Sequence, residues 1–402
     1  MERRYFRAPR FQDVPFQISH DLLNNYGESR PLSIQTTYPG LAFDFNCGLR
    51  LQIPSGNWHV KIIDYDSEVV CFDGDVSDIL LISLEKFFVR WQFFIWLNSK
   101  LVIDHTFNPE GWRVHIVAKS LALGDCIALL PYIEEFRKKW KCQLSCSVKP
   151  YMQEIIKLYY PNLECTETPN YSYATYAPEL FFNAFFMPNE LRKYSMEKIG
   201  QQSLGINRIE KVLYHPTKPR QIKEPYVCIA VQASITPKSW LNPNGWRTVI
   251  NYLKNLGYRV LCTDKNRVET SHGITVKMPE GAEDFTGDLP LIERVNLLAY
   301  ADFFIGIGSG LSWLAWATGV PVILISGISA TWFEFDNPYR VINLLVCHGC
   351  MNDTSLPWGE YEKCPRYRGT DRVYECSKKI SARQVIQMIN QLLDDKRTGR
   401  LE

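Results

Sequence analysis

Two stretches of this chain switch repeatedly between short apolar runs and helix-spaced segments, and that alternation limits what it can fold into. In the first, residues 113–118 read as a buried strand and a Gly124-Asp125 turn opens a helix-spaced run to Trp140. Strands at 143–148 and 163–166 then flank a helix at 151–159. In the second, strands at 226–231, 258–263, 303–307 and 320–325 alternate with helices at 245–256, 291–300 and 311–318. An amphipathic helix at 381–393 closes it, with Ser381 as the expected N-cap. Strands separated by helices form parallel sheets with crossover connections. The predicted architecture is therefore α/β: two Rossmann-like domains, 109–219 and 220–402, facing across a cleft, with a linker at 218–225. Ligands of open parallel sheets bind beyond the carboxyl ends of the strands, so candidate residues are sought just after strands.

The preceding residues follow other patterns. Residues 1–40 are irregular, broken by Pro9, Pro15, Pro31 and Pro39. From 41 to 106, short alternating segments separated by turn signals predict a small all-β domain, a barrel or sandwich, over 1–108. Its aromatics either fill its core or serve assembly. Residues 171–219 show few clear strands and one helical run at 189–198. A net charge of +2 excludes a wholesale nucleic-acid or membrane-surface binder. The N-terminus lacks the apolar core of a signal peptide. The longest apolar run, around 311–325, is interrupted by Ser312, Thr318, Gly319 and Pro321 and is too short for a membrane span. Twelve cysteines without a secretion signal point to a reducing cytoplasm.

Four of those cysteines stand apart. Cys347-x-x-Cys350 is followed by Cys364 and Cys376, so 346–378 reads as a metal finger inserted near the end of the second α/β domain. Zinc and iron both accept four sulfurs. A closed site of four thiolates has no open position, so this metal folds a loop and the chemistry lies elsewhere.

Three segments just after strands are candidates for it. Ala122-Leu123-Gly124-Asp125 opens a helix, where a carboxylate is stabilised as an anion; Asp125 either caps that helix or serves as a base. Gly306-Ile-Gly308-Ser309-Gly310-Leu311 brings backbone close to a phosphate at a helix start, or is a plain tight turn. Gln232-Ala-Ser234 followed by Lys238-Ser-Trp240 offers a cation and hydroxyls to a diphosphate, or is a solvated loop. No Walker A loop, H-E-x-x-H or G-x-S-x-G is present.

Together these segments resemble the GT-B heptosyltransferases. Gly124-Asp125 with Leu129-Leu130-Pro131 is similar to their first-domain motif, and Lys238-Ser-Trp240 to their lysine motif. Gly308-Ser309-Gly310-Leu311-Ser312-Trp313-Leu314 is similar to their D-T-G-L-S-H-L loop, with Gly308 replacing the acid and Trp313 the histidine. The narrower resemblance, across nearly the whole chain, is to the bacterial autotransporter heptosyltransferases. It rests on Asn57-Trp58-His59-Val60, on 281–287, on Gly310 through Thr318, and above all on the cysteine segment with Asp353 and Arg366.

That resemblance implies an inverting transfer of heptose from an ADP-heptose to serines of an autotransporter adhesin. Asp125 would be the base and Lys238 a diphosphate contact. Ala122, Leu123, Gly124, Gln232, Ser234, Gly287, Ser309, Gly310 and Leu311 would line the nucleotide-sugar site. It further implies iron at Cys347, Cys350, Cys364 and Cys376, a large homo-oligomer, typically a dodecamer, and a cytoplasmic location. No catalytic divalent metal is expected, since the Asp-x-Asp at Asp73-Gly-Asp75 lies in the β module. The competing readings are a GT-B enzyme using a UDP- or GDP-sugar, and a non-catalytic module that binds a nucleotide sugar or a protein.

Overall fold

In the strand Arg113–Val117 four of five side chains are buried, His115 among them, as a strand covered on both faces requires. The computed structural model describes residues 2–9, 29–119, 121–166, 173–178 and 191–401. Pro15 and the first two residues of the 189–198 run lie outside the described residues. The chain divides into two compact units. The first comprises Met1–Leu121, Leu129–Leu191 and Lys198–Glu210; the second comprises Ala122–Ala128, Arg192–Glu197 and Lys211–Glu402.

In the first unit, Arg113–Val117 pairs in parallel with Gln143–Ser147 on one side and with Ala174–Tyr176 on the other. Ala174–Tyr176 then pairs in parallel with Ala42–Asn46, Ala174 facing Phe45. The expected all-β stretch is therefore joined to the parallel strands through one sheet. Its sheet of Ala42–Asn46, Arg50–Ile53, Ile79–Ser83 and Glu2–Phe6 is continuous with the parallel sheet. The linking strand escaped prediction because it has three residues, all buried, and no alternation. A second sheet orders Val70–Val76, Trp58–Asp64, Trp91–Leu97 and Lys100–Thr106 antiparallel. Trp91, Phe93 and Ile95 alternate inward from it. Phe93 meets Phe43 at 5.1 Å between ring centroids, and Phe45 meets Phe107 at 4.9 Å. The aromatics thus fill the core, each burial worth about 1.5–3 kcal/mol. The run at 189–198 is not one helix: a short turn, Leu191–Lys193, precedes the helix Met196–Leu204.

The second unit is a six-stranded sheet, all parallel. Its order is Glu283–Asp284, Arg259–Cys262, Tyr226–Ile229, Phe303–Ile307, Val322–Ile325 and Arg340–Val341. In chain sequence this is third, second, first, fourth, fifth, sixth, the doubly wound order of nucleotide-binding sheets. Val249, Ile250 and Leu253 of helix Gly245–Asn255 pack with Val385, Ile389 and Leu392 of helix Ala382–Arg397 in one apolar core. Ser381 caps the last helix as expected. Its hydroxyl accepts from the Gln384 N–H, and the Gln384 side chain accepts from the Ser381 N–H.

Candidate functional site

With that strand order, the chain leaves Tyr226–Ile229 and Phe303–Ile307 toward opposite sides of the sheet. The crevice beyond their carboxyl ends is the switch point. Two of the sequence's candidate segments emerge there: 230–240 after the first strand and 308–311 after the fourth.

A buried acid that the sequence reading passed over holds the first segment. Asp264, 1% exposed, follows strand Arg259–Cys262 and accepts from the N–H groups of Val231 (2.9 Å) and Gln232 (3.1 Å). Burial raises its carboxyl above the usual range, against the pull of those two donors. Arg294 of helix Leu291–Leu298 donates to the carbonyls of Asp264 (3.2 Å) and Gly287 (2.9 Å), so Gly287 belongs to the same frame. The Gln232 amide donates to the Asn266 carbonyl at 2.9 Å, and Ser234 is exposed. Lys238 ends the turn Thr236–Lys238 and is half-buried. Among the described residues no carboxylate pairs with it. The next residue, Ser239, has a buried hydroxyl with no hydrogen-bond partner among the described residues. The position of Asp264, directly after a strand, was the signal that could have found it.

Ser309 is the N-cap of helix Gly310–Thr318, yet its side chain makes no capping bond. Its hydroxyl is buried and has no hydrogen-bond partner among the described residues. An orphaned hydroxyl beside the unbonded N–H groups of a helix start is a donor set for an anion. The Asp125 segment lies against this turn within the same unit. A Cβ at Gly124 would come 2.7 Å from Trp313 Cδ1, and one at Gly310 would come 2.7 Å from Leu123 Cβ. Both approaches need glycine. Asp125 itself is half-buried in the first turn of helix Leu123–Trp140 and accepts from the Ala122 N–H at 3.1 Å. It therefore caps the helix, one of the two roles expected.

Cys347, Cys350, Cys364 and Cys376 line one small pocket with Tyr361 and Tyr374. Burial, and after it the neighbouring thiols Cys347 and Cys364, push the Cys350 thiol up to about 12. Cys376 is raised by burial and then by the other three. A cation among them would reverse that trend. The Tyr374 N–H donates to Cys364 Sγ at 3.2 Å, and the Glu375 carboxylate accepts from the Cys347 N–H at 3.2 Å. Among the described residues, no three His, Cys, Asp or Glu side chains already stand in an arrangement that could hold a metal ion. What is formed is a shared thiol pocket with second-layer hydrogen bonds, a donor set that suits a thiophilic metal.

The next residue ties this pocket to the switch point. The Ser377 hydroxyl donates to the Ser239 carbonyl at 2.6 Å and accepts from the Leu241 N–H at 2.7 Å.

Residues 38–99 match the family model "Glycosyltransferase TibC, N-terminal domain", and residues 187–340 match "Glycosyltransferase family 9 (heptosyltransferase)". The chain is 41% identical over 362 residues to the autotransporter heptosyltransferase TibC of Escherichia coli, covering 87% of this chain and 89% of that protein. It is 32% identical over 368 residues to the inactive autotransporter heptosyltransferase BimC of Burkholderia thailandensis, covering 88% and 86%. It is also similar to the solved dodecameric, iron-containing heptosyltransferase TibC in complex with ADP-D-beta-D-heptose. That match has a TM-score of 0.84 at 39% identity over 91% of this chain and 99% of that one. The chain belongs to the autotransporter heptosyltransferases of glycosyltransferase family 9.

Proposed function

We propose that this chain transfers heptose from an ADP-heptose to serines of an autotransporter adhesin by a single inverting displacement. The observation that carries the reading is the polar set at the switch point. Among the described residues Lys238 has no carboxylate partner, and the buried Ser309 hydroxyl beside a helix start has no hydrogen-bond partner. Such groups fit a leaving diphosphate, whose charge grows in the transition state. Lys238, the Ser309 hydroxyl and the N–H groups of Gly310 and Leu311 take the diphosphate, with Gly287, Gln232 and Ser234 bordering the nucleotide. Asp125 takes the proton of the acceptor serine. The Ala122 N–H orients its carboxylate for that task, and Leu123 and Gly124 hold its helix start against the glycine turn. Because one relative is named inactive, the assignment rests on these residues as well as on kinship.

The four cysteines hold one iron, as the solved TibC is described as iron-containing; zinc is the alternative for this donor set. The ion ties loop segments together and supplies no chemistry, because four thiolates close its coordination. The assembly is a dodecamer, as that relative is titled, and a light-scattering mass equal to one chain would refute it. The enzyme works in a reducing cytoplasm, consistent with twelve cysteines that form no disulfide among the described residues. Among the described residues no helix is long and apolar enough to cross a membrane.

The test is to incubate the purified protein with an adhesin repeat and, separately, ADP-heptose, a UDP-sugar and a GDP-sugar, then weigh the product. Heptose-sized increments with ADP-heptose alone support the reading. Increments with another donor transfer it to the rival GT-B reading, and none at all leaves a binding module.

A further inference from the structure

Glu334 lies in the segment between strands Val322–Ile325 and Arg340–Val341, and its side chain is 5% exposed. One carboxylate oxygen, Oε2, accepts from Arg340 Nη1 at 2.7 Å, and the Arg340 side chain is 8% exposed. The other points at the glycine turn. A Cβ built on Gly308 would lie 2.5 Å from Glu334 Oε1 and 3.5 Å from the Ser329 hydroxyl. Oε1 accepts no hydrogen bond among the described residues, and it is not among the buried polar atoms left without one, so it keeps an opening to solvent. Gly308, Ser309 and Gly310 are consecutive, so this carboxylate faces the turn that carries the orphaned Ser309 hydroxyl and leads into the helix start. Gly308 also occupies the position where the resembled loop motif carries an acid. Another segment thus returns a carboxylate to that point.

We propose that Glu334 is a specificity-determining residue whose Oε1 accepts a hydrogen bond from a hydroxyl of the donor sugar. The inference rests on the proposed use of the helix start by the diphosphate. An ionised carboxylate repels phosphate oxygens and accepts only from donor groups. Arg340 balances its charge on the far side and fixes its direction. The ligand atom at Oε1 is therefore a hydroxyl attached close to the diphosphate; the transferred sugar carries one on the carbon next to its phosphate-bearing anomeric carbon, whereas the ribose hydroxyls lie further from the phosphates. The absence of a side chain at 308 leaves the carboxylate room to reach it.

The experiment measures calorimetric affinities of the full-length protein for ADP and for ADP-heptose, with a thermal melt of each variant. Glu334→Gln keeps the shape and removes the charge. A second variant, Glu334→Leu with Arg340→Met, replaces the ion pair by apolar groups and keeps the test open if a lone Arg340 prevents folding. The expected result is a loss of about tenfold or more in ADP-heptose affinity with ADP affinity unchanged, the effect of removing a hydrogen bond to a charged group. A purely structural ion pair would weaken both ligands together or neither, and either outcome overturns the proposal. A wild-type protein that binds neither ligand overturns instead the function on which the proposal rests.

Discussion

Replacing Ser377 by alanine isolates the link between the thiol pocket and the switch point. Ser377 is 3% exposed, and its hydroxyl makes the 2.6 Å bond to the Ser239 carbonyl and the 2.7 Å bond from the Leu241 N–H. Each bond contributes about 0.5–1.5 kcal/mol net, and a buried backbone group left without a partner costs about 1–3 kcal/mol. Ser239 is fully buried, so its carbonyl has no easy access to water. The expected loss is about 2–4 kcal/mol, a large part of the roughly 5–15 kcal/mol that holds a domain. Denaturant titration should show it as a lower midpoint with unchanged slope. Because Lys238 precedes Ser239, ADP affinity should fall by about tenfold, the effect of about 1.4 kcal/mol, while all four sulfurs, and with them the proposed metal site, stay intact. Cys350→Ser should release the metal and reproduce the ADP defect, since the pocket that positions Ser377 is then lost. If Ser377→Ala is destabilised yet binds ADP like wild type, or a metal-free Cys350→Ser protein keeps full ADP affinity, the link carries no positional information and the reasoning fails.

Asp125→Ala should lower turnover about 10²–10⁴-fold with ADP affinity nearly unchanged; near-normal transfer would leave Asp125 as the helix cap alone. Lys238→Ala should weaken ADP binding and turnover together, and an unchanged dissociation constant by calorimetry would remove the lysine from the diphosphate site. His115, fully buried between the Ser145 (2.8 Å) and Ser147 (3.2 Å) hydroxyls, has its pKa lowered by burial from 6.5 to about 4. Between those values the unfolded chain takes up a proton that the folded chain does not. Its contribution is therefore full above pH 6.5 and should fall, by at most about 1.4 kcal/mol per pH unit, as the pH drops toward 4. His115→Gln should flatten that part of the stability profile, and an unchanged slope in the variant would refute the assignment.

What the sequence made legible was whatever depends on neighbours along the chain. The strand–helix alternation, the Ser381 cap and the glycine turn at 308–310 are local patterns that appear at their expected places, and the four spaced cysteines line one pocket. What it hid depends on distant residues. Asp264 supports Val231 and Gln232 from another strand, Arg294 gathers carbonyls from two loops, and Glu334 reaches Gly308 from a later segment. No periodicity marks such residues, because each occurs once and acts through a contact. The strand Ala174–Tyr176 was hidden for a related reason: its pairing with Ala42–Asn46 decides its role, and three buried residues carry no pattern of their own.

That pairing also sets an order of events during synthesis. Ala42–Asn46 receives its parallel neighbour only when Ala174–Tyr176 has left the ribosome, far later in the chain. Until then the Phe45–Asn46 end of the early strand, beyond its pairing with Ile34–Gln35, presents an open edge, a template for a wrong partner. Closing so long a loop is entropically slow. Fragments that stop before residue 174 keep that edge exposed and should aggregate, whereas fragments that continue past Tyr176 complete the sheet.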